Sequence, residues 1–196
     1  MLKFYDEGHI YEYNGQTIPS VSELLRFMSR EVYGDINKYT LDHAAQRGTA
    51  VHEATQQLDE AGVVECPAYI AGYLEAYAQF RREHCAEWAY IEKPMAHPTM
   101  LYAGTIDRAG RLDGHAAILD IKTNSAVKKP LVKAQLNGYR LLLESAGETV
   151  ERLYCLQLMS DGRYRLYPVA VDDSEFTACY KLHNAMKRRH GRGKIE

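Results

Sequence analysis

Two spacings of apolar residues alternate along this chain, and the switches between them predict its elements. In residues 103–123, AGTIDRAGRLDGHAAILDIKT, apolar runs of strand character flank Asp113-Gly114. Both residues of that pair tolerate the positive φ of a two-residue type I′ turn, so a β-hairpin is predicted. Strands are expected near 88–96, 100–109 and 116–122, then near 151–159 and 163–170, the last two joined at Asp161-Gly162. LKFYDEGHIYEYNGQTIP, with Gly8 and Asn14-Gly15 as turn signals, predicts a small N-terminal β-hairpin. Elsewhere the spacing is helical. A short helix through SELLRFMSR is capped by Ser20 or Ser22, and a longer one covers Tyr39 to Ala61. Pro67 opens another helix reaching about Trp88, Pro130 opens one ending near Ser145, and a last helix covers 173–190. From residue 39 the order is helices, three strands, helix, two strands, helix. This predicts an α/β (mixed α+β) chain whose central mixed β-sheet is flanked by helices.

The hairpin places charge where charge is costly. With the turn at 113–114, Leu112 faces His115, and five residues further along each strand Asp107 faces Asp120. Directly opposed residues have Cβ atoms roughly 4.5–5.5 Å apart, and like charges there repel unless something positive lies between. Asp120 and Lys122, two apart on one strand, leave the same face. Two carboxylates and an ammonium converge, as a divalent-metal site with a cationic helper requires.

Composition narrows the reading further. The 196 residues suit one domain: a hairpin and short helix over 1–38, a core over 39–190 and a basic tail over 187–196. With a formal net charge of −2, any surface for nucleic acid must be local. Cysteines 66, 85, 155 and 179 lack C-x-x-C spacing and read as reduced thiols of a cytoplasmic protein. MLKFYDEGHIYEY is too polar and aromatic for a signal peptide, and no apolar run approaches the ~20 residues of a membrane span.

Further candidates lie on either side of the hairpin. Gly48 and His52 share one helix face, as do Gln135 and Tyr139. Glu92 lies on the preceding strand. In order, Gly48-x-x-x-His52, Glu92, Asp107, Asp120-Ile121-Lys122 and Gln135-x-x-x-Tyr139 resemble the PD-(D/E)XK nuclease superfamily. More narrowly they resemble its RecB-like exonuclease branch, which includes phage-encoded recombination nucleases and the mitochondrial genome maintenance exonuclease. EGHIYEYNGQTIPSVSELL is similar to the start of phage members, so the resemblance covers nearly the whole chain. Ile106 stands before Asp107 where the superfamily name has proline, as is frequent in this branch.

The resemblance implies a restriction-endonuclease-like core and a metal-dependent DNA exonuclease of phage or prophage type, hydrolysing phosphodiester bonds in recombination or replication. Asp107, Asp120 and the carbonyl of Ile121 would hold Mg²⁺ or Mn²⁺, hard cations that prefer oxygen. His52 would complete the shell with a nitrogen that suits Mn²⁺ somewhat better. Lys122 would orient or activate the attacking water, or stabilise charge developing on the phosphate. Gln135 and Tyr139 would align Lys122 or contact the DNA backbone, and Glu92 would hold a second metal through water. The cysteine cluster of some relatives is missing, so no iron–sulfur cluster is implied. The partners implied are single- or double-stranded DNA ends and a recombination or single-strand-binding protein, with homo-oligomers left open. An endonuclease on the same fold, restriction or structure-selective, and a catalytically inactive DNA-binding protein are the alternatives. Without metal, one of the paired aspartates is expected to titrate high.

Substrate contacts are less sharply marked. Lys128, Lys129 and Lys133 gather at the start of the helix after Lys122, where phosphate is attracted; the same lysines also read as solvated surface. The tail KRRHGRGK is either a DNA tether or a solubilising end. Tyr69, Tyr73 and Tyr77 recur at i+4, as a base-stacking platform or, in the more usual case, a helix-packing surface. His9 and Tyr11 alternate on one strand face near the expected site.

Overall fold

Both N-terminal turn signals reverse the chain, so the expected hairpin is a three-stranded sheet. A computed structural model describes residues 1–34 and 38–192, without the side chains of Lys38 and 190–192. The end of the expected basic tail lies outside the described residues. Strands β1 (Leu2–Tyr5), β2 (Ile10–Tyr13) and β3 (Gln16–Ile18) pair antiparallel in that order. Asn14 and Gly15, at φ 51° and 80°, form the two-residue turn between Tyr13 and Gln16. Ser20, not Ser22, caps the helix that follows, its Oγ accepting from the Glu23 N–H at 3.0 Å. That helix is broken at Leu25 into α1 (Val21–Leu24) and α2 (Arg26–Tyr33).

The larger body follows the predicted order. Helix α3 (Lys38–Ala61) precedes a 3₁₀ turn at Ala68–Ile70 and helix α4 (Ala71–Glu83). Strands β4 (Ala86–Ala96), β5 (Ala103–Leu112) and β6 (His115–Lys122) come next. Helix α5 (Lys129–Ser145), with Pro130 in its first turn, leads to β7 (Arg152–Leu158), β8 (Tyr164–Val169) and α6 (Ser174–Arg192). Helix α4 stops five residues before the expected Trp88, which lies in β4. The reason is local: Asp113 of the hairpin turn binds His84 Nδ1 at 2.7 Å and accepts from the Cys85 N–H at 2.9 Å, drawing the chain out of the helix.

The five strands form one mixed sheet in sequence order, β4-β5-β6-β7-β8. All neighbours are antiparallel except β6 and β7, which run parallel and are joined through α5. The outer strands β4 and β8 each carry a proline, Pro94 and Pro168. Successive residues of β6 feed two cores. Ile118 packs with Leu136, Leu142 and Phe176 on the α5–α6 side, whereas Leu119 and Ile121 pack with Val51, Tyr77 and Phe80 on the α3–α4 side. The Ala103 N–H donates to the Pro19 carbonyl at 2.9 Å, tying the N-terminal unit to β5. No helix among the described residues is long and apolar enough to cross a membrane.

Candidate metal centre

The hairpin behaves as its sequence predicts up to the point where the acids begin. Asp113 and Gly114 have φ of 49° and 84°, and Leu112 faces His115. Register then runs unbroken to Arg108 opposite Leu119 and ends there. Asp107 and Asp120 would be the next pair, but Asp107 reaches across instead. Its Oδ2 accepts from the Ile121 N–H at 2.7 Å, so a side chain replaces the ladder bond. Ile121 therefore touches the site through its N–H.

Lys122 leans back on its own strand. Its Nζ lies 2.9 Å from Oδ1 and 2.8 Å from Oδ2 of Asp120, a carboxylate only 1% exposed. The hydrogen bond goes to Oδ1, and Oδ2 has no hydrogen-bond partner despite being buried. From α3, His52 Nδ1 meets Glu92 Oε1 at 3.0 Å and lies 3.8 Å from Asp107 Oδ2. Glu92 sits in β4 with φ 42°, a left-handed conformation that a non-glycine residue holds only when its surroundings impose it. On α5, Gln135 donates to the Tyr139 hydroxyl at 2.9 Å. Tyr139 lies close enough to Asp107 and Asp120 for their charges to act on it, so the α5 pair adjoins the acids, whereas Gly48 has nothing within 4 Å of where a Cβ would stand.

Titration behaviour follows from burial and crowding. Burial pushes the Asp120 carboxyl up to about 6, Lys122 opposes the rise and Asp107 adds to it. Burial likewise raises Asp107, against the pull of His52 and with the push of Glu92. Burial would lower His52, but Asp107 and Glu92 outweigh it and carry the imidazole up to about 9. Lys122 is raised too, since Asp120 and Asp107 outweigh its burial. Burial, then the two aspartates, lifts the Tyr139 hydroxyl well above the usual range.

The donor chemistry fits a divalent cation. His52, Glu92 and Asp107 each offer one ligand atom, all within 4.8 Å of one another. Asp120 Oδ2, buried and without a hydrogen bond though 2.8 Å from the Lys122 ammonium, adds a further carboxylate acceptor. Carboxylate oxygens with one imidazole nitrogen suit Mg²⁺ or Mn²⁺. Without a cation, a proton on His52 balances Glu92 and Asp107; ligation would release it, because a ligating imidazole must be neutral.

The sequence reading missed the support behind these acids. Arg108 is fully buried beside Asp107 but faces the other side of the sheet. Its Nε donates to Asp59 at 2.7 Å, one terminal nitrogen to Glu92 at 3.0 Å and the Asp107 carbonyl at 2.7 Å, the other to Thr55 at 3.1 Å. Asp59 also accepts from the Tyr77 hydroxyl at 2.6 Å and lies 3.3 Å from Arg81. Tyr73 and Tyr77 are buried in this packing and form no stacking platform, while Tyr69 is exposed. Tyr11 is buried and shares a hydrogen bond with Thr105 at 2.8 Å.

The lysines proposed for phosphate are differently placed. Lys133 is held by Asp172 at 2.6 Å and Glu175 at 2.9 Å, so its charge is already matched. Lys128 and Lys129 lie over the rings of Tyr33 and Tyr167, at 5.7 and 5.8 Å.

No protein-family model matches the chain, and no curated protein matches it. Among solved structures, the chain is similar to an alkaline exonuclease from Laribacter hongkongensis, with a TM-score of 0.41 and 15% identity over 88% of this chain and 93% of that one. The same enzyme in complex with dAMP matches at a TM-score of 0.41 and 14% identity, over 89% and 94%.

Proposed function

We propose that this protein is a divalent-metal-dependent DNA nuclease of the PD-(D/E)XK kind, hydrolysing phosphodiester bonds from strand ends. The observation that carries the reading is the meeting of His52, Glu92, Asp107 and Asp120, from three strands and a helix, with Lys122 alongside. Such a cluster of buried carboxylates costs stability unless a cation completes it. Its members also match the family resemblance in the sequence residue by residue, including Gln135 and Tyr139.

His52, Glu92, Asp107 and Asp120 would hold the cation, Mg²⁺ or Mn²⁺. When bound, it polarises the phosphodiester and acidifies the attacking water. Lys122 stays protonated beside the acids and so serves to orient that water and stabilise charge developing on phosphate, rather than to remove a proton. Asp120 fixes the ammonium. Tyr139 keeps its proton at neutral pH, and with Gln135 offers hydrogen bonds from the α5 side. A role in phage recombination or replication rests on the resemblance alone.

End-labelled linear DNA, single- and double-stranded, tests the reading beside closed circles, with Mg²⁺, Mn²⁺ or EDTA. Release of short products from linear DNA with metal only, and intact circles, is expected. Cleaved circles would make the enzyme an endonuclease, and DNA left whole in every metal would remove the nuclease reading.

A further inference from the structure

We propose that the groove between α3 and the loop after β6 holds an unpaired stretch of the substrate strand, its phosphate on Arg47 and a base against Tyr39 and His43. This rests on the nuclease reading above. The groove encloses about 680 Å³, within the ~300–1,000 Å³ usual for ligand sites.

Its walls come from elements that also supply the metal centre. Tyr39, His43 and Arg47 recur at i+4 on one face of α3, and all three line the groove. His52 lies five residues further along the same helix. The facing wall is Thr123, Asn124 and Ser125, the three residues after Lys122. Helix α3 and the chain leaving β6 thus supply side chains to both the centre and the groove.

The lining has the chemistry of a single strand's surroundings. Arg47 has no carboxylate partner among the described residues; its Nε lies 3.5 Å from the Thr123 hydroxyl and its guanidinium carbon 5.8 Å from the Tyr73 ring centre. The acid lining the groove, Asp161, is bound to Arg163 at 2.5 and 2.9 Å, so among the described residues it does not pair with Arg47. A guanidinium in that setting is suited to bidentate phosphate binding. Tyr39 is 71% exposed, and its ring stands 4.2 Å from that of His43, edge to face. A base offers its face only when unpaired and unstacked, so an aromatic pair at this place selects single strands over duplex.

Fluorescence anisotropy reads the proposal, with a labelled oligothymidylate and a blunt duplex of equal length, in EDTA so that neither is cut. Tyr39→Ala is expected to weaken single-strand binding roughly tenfold and leave duplex binding unchanged. Arg47→Ala should weaken it at least as much and flatten its dependence on salt. Circular dichroism checks that both variants fold; Tyr39 is exposed, so its variant still decides if Arg47→Ala does not fold. Single-strand affinity unaltered by the substitutions, or an equal loss on duplex in Tyr39→Ala, overturns the groove. Cleavage by the unmodified protein is scored separately. A protein that binds strands through Tyr39 and Arg47 yet cuts nothing keeps the groove and loses the nuclease reading. One that cuts while ignoring both substitutions does the reverse.

Discussion

Asp107 and Arg108 are neighbours on β5, yet they anchor two clusters of opposite character. On the α3–α4 side every nitrogen of the Arg108 guanidinium has an acceptor, from Asp59, Glu92, Thr55 and the Asp107 carbonyl. On the other, acids crowd together, Asp120 keeps a buried oxygen without a hydrogen bond, and the Asp120 carboxyl is raised to about 6. Both are buried and charged, so burial alone does not separate scaffold from site. What differs is which charge is met: the Arg108 guanidinium has every donor satisfied, although Asp59 Oδ1 and an Arg81 nitrogen beside it make no hydrogen bond, while on the other side carboxylates crowd around one ammonium and one imidazole.

The sharpest way to break that contrast is to empty the saturated side. Arg108→Leu takes the guanidinium away from Asp59 and Glu92, leaving them Arg81 at 3.3 Å and His52 at 3.0 Å, and removing one partner of a buried pair costs ~3–5 kcal/mol. Denaturant unfolding should show a loss of that order. A loss near zero would mean that the network is not structural.

Asp120→Asn tests the unsatisfied side. Cleavage should fall ~10²–10³-fold, the size of losing one group that acts on the transition state. Thermal unfolding of the metal-free variant should move up, because a strained charge has been removed. Full activity, or a large loss of stability, would make Asp120 an ordinary structural acid.

The subtlest effect is in the pH dependence of the metal-free protein. His52 has a folded pKa of about 9 against an ordinary 6.5, so the stability it contributes is complete below pH 6.5 and is lost as pH rises through 9. At ~1.4 kcal/mol per pKa unit this is on the order of 3 kcal/mol. Asp120 is raised rather than depressed, so it too disfavours the fold as pH climbs from 3.8 to about 6. Guanidinium melts from pH 6 to 9.5 in EDTA should show falling stability, which His52→Gln flattens above 6.5 and added Mn²⁺ offsets. A flat profile in the unmodified protein would contradict the charge arrangement around His52.

The unsatisfied side was far more legible in the sequence than the saturated one. Acids in an apolar strand are anomalous, and Asp113-Gly114 sets the register that brings Asp107 and Asp120 near each other. Local rules reach that far. They do not reach Arg108, because an arginine in a strand reads as surface, and what buries it comes from Asp59 and Tyr77 on two distant helices. The partners of Lys133 were hidden for the same reason. Its spacing suggests a phosphate contact, but Asp172 and Glu175, some forty residues on, decide where its charge goes. Trp88 fell in a strand because an aspartate in a later turn ends α4.

The prolines of the two outer strands bear on how this protein behaves among its own copies. An open sheet invites a further strand at each rim, and repeated addition is the route to fibres. Pro94 and Pro168 have no N–H to offer, and proline in a sheet is tolerated chiefly at a rim, with the missing donor directed at solvent. Both margins are thereby blunted, and the strand bearing Asp120 and Lys122 lies third of five, shielded from intrusion on either flank.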